Sequence, residues 1–416
     1  KDPNIIAGVY DNLNLGTNLV GPYTGGLDDH SERIRLSYPY NDVDPLSGDV
    51  EVLMITADEV TYYDGGRWPS WADGQGASLE LRDPDSDNDT PDAWADSDES
   101  GKTVWEQFSF TINSNDSSYT HDSVSIFDLL LLNRGEVLVD DLELSIGGTN
   151  RLSNNGFESG DSNWRFLGNH VRSFVTTEDR RSGSRCLYLI STGHGDPGAN
   201  RINQSFSSAT ASTVTFRGWA RWLRGCRFLL LRTTRDRSPV QPPRPAHSFE
   251  LTAPVAIGTP GSQNTAFVSN RGPDVLDVQH APVLPAGGEP IVVTARVTDN
   301  DGVNRVTLYY RSEGGAVFAT TEMVDNGSGN DLIGGDGIFT GTIPGASGGT
   351  MRAFYIEATD GPALTRFPTK LDPSAEVPDR TCLVRVGDTL LSTRFATYRI
   401  WLSDDVINTF RSRPNL

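Results

Sequence analysis

The sequence is poor in the residues that mark disulfide-rich, membrane-spanning or nucleic-acid-binding proteins. Its 416 residues include only three cysteines, an odd number that does not complete a disulfide framework. The apolar runs, such as residues 129–132, are far shorter than the ~18 residues of a membrane-spanning helix. With 35 basic against 55 acidic residues and a net charge of −20, the chain should repel nucleic acid and anionic membranes.

Catalytic motifs are also missing from the sequence. None of the six histidines has the spacing of a metal site, and no Gly-rich loop with an adjacent lysine is present. A Ser, a His and an Asp lie together in residues 191–196, but triad members normally meet in space rather than within one tight loop. We therefore predict that this chain is not an enzyme.

Short β-strands and turns dominate what the sequence does contain. It has 42 glycines and 24 prolines, with Gly/Asp and Gly/Gly pairs separating short alternating apolar segments. At ~150 residues per domain, the length suggests about three domains. The expected fold class is all-β, built from tandem β-sandwiches.

The first unit, residues 1–100, carries a tryptophan-rich stretch at 67–81 that continues through an acidic loop to 94–97. Together with residues 20–36, this stretch resembles lamin-tail-type domains of large secreted bacterial proteins. The resemblance implies a small immunoglobulin-like β-sandwich that connects and presents other modules and has no catalytic role.

The second unit, residues 101–265, contains Val-Leu-Val-Asp-Asp-Leu-Glu-Leu at 137–144 and Asn-Asn-Gly-Phe-Glu-Ser-Gly at 154–160. These motifs resemble those of jelly-roll carbohydrate-binding modules of the galactose-binding type. In such modules the second motif normally opens the domain and the first closes it. The order is reversed here, which puts sugar binding in doubt.

The third unit, residues 266–388, has alternating strands at immunoglobulin-like spacing. Its segments 295–303 and 323–340 resemble the Ig-like or fibronectin-like repeats of bacterial surface proteins. Residues 389–416 resemble the start of a spore-coat CotH-type kinase-like domain, so that the chain is expected to be part of a longer protein. A helix is predicted at 404–411, with Ser403 as its N-cap.

Acidic loops are candidates for calcium binding, because calcium takes six to eight oxygen ligands that short Asp/Asn loops supply. The alternative is that these side chains only form turns by bonding to their own backbone. The candidate ligands are Asp85, Asp87, Asp299, Asp301, Asn304, Asp325, Asp331 and Asp336.

Three tryptophans of the second unit, Trp164, Trp219 and Trp222, are candidates for glycan binding, because sugar rings stack on exposed aromatic faces. Packing in the core is the competing interpretation. A disulfide between Cys186 and Cys226 is possible, and two buried thiols are equally compatible with the sequence. The arginines clustered in residues 217–237 could bind anionic glycans or dock an acidic neighbouring module.

The sequence thus predicts non-catalytic structural or adhesive modules of an extracellular or cell-surface protein. Their partners would be neighbouring modules, glycans or further copies of the chain, as in a surface filament or layer. The alternative is a carbohydrate-binding and targeting arm of a larger enzyme, such as a CotH-type kinase.

Overall fold

The computed structural model describes residues 2–22, 24–113, 123–196, 198–210, 213–234, 246–369, 380–389 and 399–412. Its contacts divide the chain into two compact units. Unit 1 comprises Lys1–Arg33, Thr61–Glu80 and Trp94–Ala266, and unit 2 comprises Ile34–Val60, Leu81–Ala93 and Phe267–Leu416. The chain is all-β with several packed sheets, which confirms the predicted fold class.

Unit 1 is built on two sheets. The first has the order β10-β11-β7-β13-β5, with β8 paired to β7; its strands are β5 Glu106–Asn113, β7 Gly135–Ile146, β8 Thr149–Asn150, β10 Phe174–Thr176, β11 Cys186–Ser191 and β13 Thr213–Gly225. The second has the order β15-β14-β6-β12-β9; its strands are β6 Val124–Leu131, β9 Arg165–Phe166, β12 Ile202–Ala209, β14 Phe228–Thr234 and β15 Ala246–Glu250. All these pairings are antiparallel.

The core of unit 1 follows from side chains that alternate along the strands. On β13, Phe216 and Ala220 are fully buried, whereas Arg217 between them is exposed. Gly218 shares their inward face because a Cβ there would lie 2.6 Å from the Phe108 ring. Each fully buried large apolar side chain contributes roughly 1.5–3 kcal/mol to stability.

Unit 2 contains a second sandwich with its own core. One sheet has the order β16-β17-β20, formed by β16 Asp274–Ala281, β17 Ile291–Thr298 and β20 Ile338–Ile343. The other has the order β19-β18-β21-β22, with β23 also paired to β21; its strands are β18 Arg305–Ser312, β19 Ala319–Met323, β21 Met351–Thr359, β22 Leu364–Phe367 and β23 Cys382–Arg385. Alternating residues of β17, such as Ile291 and Val293, pack against Leu308 and Phe354.

Residues 1–100 differ from the compact sandwich expected for them. Their described strands form two separate ribbons, β1 Ser31–Val43 with β2 Val50–Tyr63, and β3 Leu79–Leu81 with β4 Trp94–Asp96. The first ribbon is almost entirely exposed. Both units contain parts of this segment, so the boundary predicted at residue 100 does not separate compact bodies.

Among the residues that the structure describes, the helices are all short. The α-helices are α1 Pro3–Ala7 and α2 Asp404–Ser412, and 3-10 turns lie at Pro91–Ala93, Ser100–Lys102 and Gly168–His170. The Ser403 hydroxyl accepts the Val406 N–H at 3.3 Å, so the predicted helix and its N-cap are confirmed. Within the described part of the chain, no helix has the length and apolar character needed to cross a membrane.

The disulfide between Cys186 and Cys226 is wrong, because both thiols are free. Leu187 pairs with Val139 of β7, and the Cys226 N–H donates to the carbonyl of Arg134, which directly precedes β7. At ~3.3 Å per residue, these levels are at least about 16 Å apart. A disulfide needs Cα atoms about 5.5 Å apart. Burial raises the pKa of the Cys186 thiol to about 12.

Candidate cation site

An acidic loop of unit 2, residues 83–87, is fixed by contacts with residues almost two hundred positions later. The buried Asp83 carboxylate accepts the Asp85 N–H at 3.0 Å, which forms an Asx-type turn. Its other oxygen accepts the Arg271 N–H at 2.9 Å. The Asn300 side-chain amide donates to the Asp85 carbonyl. Loop 83–87 is therefore held against the start of the third predicted unit.

A cavity of about 180 Å³ lies between these segments of unit 2. Two pairs of predicted calcium ligands, Asp85 with Asp87 and Asp299 with Asp301, line the same cavity although more than two hundred residues separate the pairs. The full lining is Asp83, Asp85, Ser86, Asp87, Asn270, Arg271, Gly272, Asp274, Thr298, Asp299, Asn300 and Asp301. The sequence indicated two acidic loops but not their convergence.

Asp299, Asp301 and Asp360 form what we call the cavity cluster: their carboxylates lie within 4.8 Å of one another. The Asp299 carboxylate accepts the Asp301 N–H at 2.7 Å. Burial raises the pKa of Asp299, and the nearby Asp360 and Asp301 carboxylates raise it further. A divalent cation would relieve this repulsion, because carboxylate oxygens are the ligands that calcium prefers.

One positive charge lines the cavity, and it is already paired. The guanidinium of Arg271 binds the Asp274 carboxylate with two hydrogen bonds, one of them at 2.7 Å, and both side chains are buried. The Thr90 hydroxyl also lies 3.4 Å from Asp274. The Arg271–Asp274 pair thus has no net charge, and it lines the cavity beside the acidic groups.

The cavity cluster contains one residue that the sequence analysis did not name, Asp360. The predicted ligand Asn304 lies nearby: its side-chain amide nitrogen is 3.5 Å from where a Cβ on Gly361 would lie, and its backbone N–H donates to the Thr359 carbonyl at 2.8 Å. Asp360 follows strand β21 directly and precedes Gly361, which has a φ of 120°. An Asp-Gly pair that ends a strand was the available signal, but it is also an ordinary turn signal.

The three aspartates predicted in the second loop, residues 325–336, also lie close together. The carboxylates of Asp325, Asp331 and Asp336 lie within 4.8 Å of one another. We call them the amide-bound cluster, because backbone N–H groups surround them. One Asp331 oxygen accepts the Gly327 N–H at 2.6 Å, and the two Asp325 oxygens accept the N–H groups of Gly335 at 2.6 Å and Gly337 at 2.9 Å.

Buried carboxylates in unit 1 also bind distant segments. Glu80 accepts the Thr259 hydroxyl at 2.6 Å and the Thr265 N–H at 2.7 Å. Glu99 accepts the Gly258 N–H at 2.7 Å and pairs with the Lys102 ammonium at 2.8 Å. The contacts with Gly258, Thr259 and Thr265 join this part of unit 1 to residues more than one hundred and fifty positions later.

The tryptophan-rich stretch packs in unit 1 through a third carboxylate. Asp96 accepts the N–H groups of Trp71 and Ala72, both at 2.9 Å, and burial raises its pKa. Two guanidinium groups lie over the Trp71 ring, that of Arg134 at 4.0 Å and that of Arg224 at 4.7 Å from the ring centroid. Trp71 therefore packs this stretch against residues of unit 1.

The structure does not bring the three predicted sugar-binding tryptophans onto an open surface. Trp164 is buried against Phe157 and donates its indole N–H to the Asn154 carbonyl at 3.0 Å. Trp222 is 2% exposed and donates to Gly225. Trp219 is half-buried, and the Arg181 guanidinium covers its ring at 4.1 Å. Core packing was the correct interpretation for Trp164 and Trp222.

The predicted arginine cluster is engaged within unit 1. Its described members pair with acidic side chains, in the pairs Arg217–Glu143, Arg221–Asp179, Arg224–Glu136, Arg227–Glu250 and Arg232–Asp128. Arg235 and Arg237 lie outside the described residues. In the Ser/His/Asp loop, the Ser191 hydroxyl donates to the Gly193 carbonyl at 2.7 Å, which is a turn contact.

Comparisons with known proteins add little to this geometry. No protein-family profile matches the sequence, and no curated protein is significantly similar to it. Among solved structures, a DUF4785 family protein from Legionella pneumophila matches with 8% identity and a TM-score of 0.18, over 70% of this chain and 67% of that one. A putative membrane anchored protein from Corynebacterium diphtheriae matches with 8% identity and a TM-score of 0.16, over 83% of this chain and 61% of that one.

Proposed function

We propose that this chain is a non-catalytic structural connector of an extracellular or cell-surface protein. The observation that carries the proposal is the use of buried carboxylates. Buried Glu80 and Glu99 and half-buried Asp96 in unit 1, and buried Asp83 in unit 2, accept hydrogen bonds from backbone or hydroxyl donors of other segments. A buried carboxylate is retained in a fold only when such partners satisfy it.

These contacts support a structural role because of where they lie. A catalytic carboxylate has to present an oxygen to a substrate, whereas Glu80 uses both oxygens on Thr259, Thr265 and Ala266. The tryptophan-rich stretch is the most distinctive part of the sequence. Through these contacts it joins segments to one another, as the lamin-tail resemblance implies.

Calcium is the proposed ligand of the cavity cluster. Asp85, Asp87, Asp299 and Asp301 line one cavity, with Asp360 beside them. Binding a divalent ion there would tie loop 83–87 to residues 299–301 within unit 2. Calcium would then stiffen loop 83–87, which follows the tryptophan-rich stretch, as a structural connector requires.

Hydrogen exchange tests the connector role. Glu80→Gln keeps the size of the side chain but removes the charge from four hydrogen bonds, so amide protection should fall in residues 256–266. Glu322→Gln, the same change at an exposed position of β19, is the matched control. Equal protection in both variants would contradict the proposal.

Surface labelling tests the proposed location. Antibodies raised against the 416-residue chain should label intact cells of its native source or their secreted material. Labelling that requires permeabilised cells would contradict an extracellular role. A carbohydrate-targeting arm is less well supported, because the three tryptophans proposed for it are buried or covered.

A further inference from the structure

The composition of the β1–β2 ribbon disagrees with its exposure to solvent. Among the described strands, β1 and β2 pair only with each other. Ten large apolar side chains lie on these strands between residues 34 and 55, and each is more than one-third exposed. A two-stranded hairpin alone is at best marginally stable in water, so a ribbon of this composition needs a surface to pack against.

One face of β1 is continuously apolar. Ile34, Leu36, Tyr38 and Tyr40 are spaced by two residues and therefore point to the same side of the strand. Leu36 is 67% exposed. In β2, Met54 is 62% exposed and lies in an apolar run from Val52 to Ile55.

The area of this surface is close to that of a protein interface. Side chains alternate between the two faces of a strand, so the face that carries Ile34 to Tyr40 holds six or seven of the ten. At roughly 100 Å² each, these offer about 600–700 Å² of mainly apolar surface, compared with about 800 Å² per partner in a standard interface. Contiguous apolar patches on monomers rarely exceed a few hundred Å². One face of the ribbon is therefore close in area to one side of a standard interface.

The faces of the ribbon, and not its edges, are available for this contact. Pro39 lies within β1 and has no N–H to donate to a neighbouring strand. Glu51, Asp58 and Glu59 place negative charges along β2. Proline and charged residues on edge strands oppose edge-to-edge pairing, which leaves packing of the apolar faces.

We propose that the apolar face of the β1–β2 ribbon is an interface between two copies of this chain. A second copy presents the same face, with the same length and the same spacing of apolar residues. A single two-fold contact therefore buries the apolar face of each copy. The strands of 13 and 14 residues are about 45 Å long at ~3.3 Å per residue. This proposal deepens the structural function by naming the partner, and it rests on that function.

Charge makes the contact salt-dependent in a defined direction. Each chain has a net charge of −20, so two copies repel each other at long range. Added salt screens this repulsion and leaves the apolar contact intact. Dimerisation should therefore strengthen as salt rises, whereas an association held by ion pairs would weaken.

Sedimentation velocity on the whole chain tests the proposal. The expected result is a reversible monomer–dimer equilibrium with a saturating dimer. Leu36→Thr should weaken dimerisation at least tenfold, because a two-fold contact loses the buried leucine twice. Threonine suits an exposed strand, so the variant should keep the far-ultraviolet circular dichroism of the parent.

Leu46→Thr is the matched control, since Leu46 lies in the turn between β1 and β2 and is 97% exposed. It should dimerise like the parent. A chain that stays monomeric up to its solubility limit, unlimited aggregation without a discrete dimer, or equal weakening by both variants would overturn the proposal. Each of these outcomes would leave the Glu80→Gln exchange result unchanged, so the two proposals fail separately.

Discussion

The two acidic clusters of unit 2 contain the same residue type and differ in what neutralises it. In the amide-bound cluster, Asp325 and Asp331 accept several backbone N–H groups and shape one loop. In the cavity cluster, Asp299 and Asp301 line an open space that they share with Asp85 and Asp87. Proximity of carboxylates therefore does not by itself define a cation site; the number of donors already bound to each carboxylate matters as well.

The largest expected effect concerns the amide-bound cluster. Asp331→Ala removes the acceptor of the Asn326 and Gly327 N–H groups, and Asp331 is buried. Leaving both donors unpaired should lower the free energy of unfolding by about 3 kcal/mol, measured by urea unfolding. Asp336→Ala is the control, because Asp336 is exposed, and it should cost clearly less. Equal losses would mean that the backbone amides do not stabilise this loop.

Calcium binding should distinguish the cavity cluster from the amide-bound cluster. The expected gain in the free energy of unfolding is slightly smaller than the loss expected for Asp331→Ala. At one hundred times its dissociation constant, a bound ion adds about 2.7 kcal/mol to the free energy of unfolding. Thermal melts with calcium and with chelator should show this shift in the parent chain. Asp299→Asn should abolish the shift and Asp336→Asn should retain it. The opposite pattern would assign the ion to the amide-bound cluster.

The pH dependence of the chelated protein gives a smaller effect with a definite sign. The pKa of Asp299 is raised in the folded state, so folded protein binds this proton more tightly than unfolded protein. The ionised carboxylate therefore costs stability as pH rises through the raised folded pKa. In chelator, Asp299→Asn should be more stable than the parent at neutral pH and equal to it in acid. A parent that is more stable at neutral pH would contradict this cause.

The smallest effect is expected at Asp87, an exposed residue of loop 83–87. Without calcium, Asp87→Asn should change the free energy of unfolding by no more than about 0.5 kcal/mol, as measured by urea unfolding. With calcium, the variant should need a higher ion concentration for the same melting shift, since it loses one charge at the cavity. A variant that is strongly destabilised in chelator would show that Asp87 stabilises the loop as Asp331 does.

The comparison also explains which site residues the sequence could predict. Asp299 with Asp301, and Asp325 with Asp331 and Asp336, are close in the chain, so their clustering follows from local turn chemistry. Asp360 was missed because it joins Asp299 only through the neighbouring ends of strands and loops. Asn304 was named as a ligand because of its spacing, and its backbone N–H donates to the Thr359 carbonyl.

For the larger elements, alternation along strands was sufficient to predict the all-β class. A helical pattern preceded by a serine N-cap was sufficient to predict helix α2. The separation of Cys186 from Cys226 depends on the levels along β7 at which they lie, and sequence position does not encode that register.

By itself, the sequence determined the period of the strands, the turns between them and the acidity of the chain, because these depend on neighbouring residues. Only the tertiary structure decided the surroundings of individual side chains. Glu80 accepts hydrogen bonds from Thr259 and Thr265, Asp299 lines a cavity, and Leu36 is exposed on a ribbon. The physical reason is that the burial of a side chain and the hydrogen-bond donors around it come from segments far away in the chain, which no local sequence pattern records.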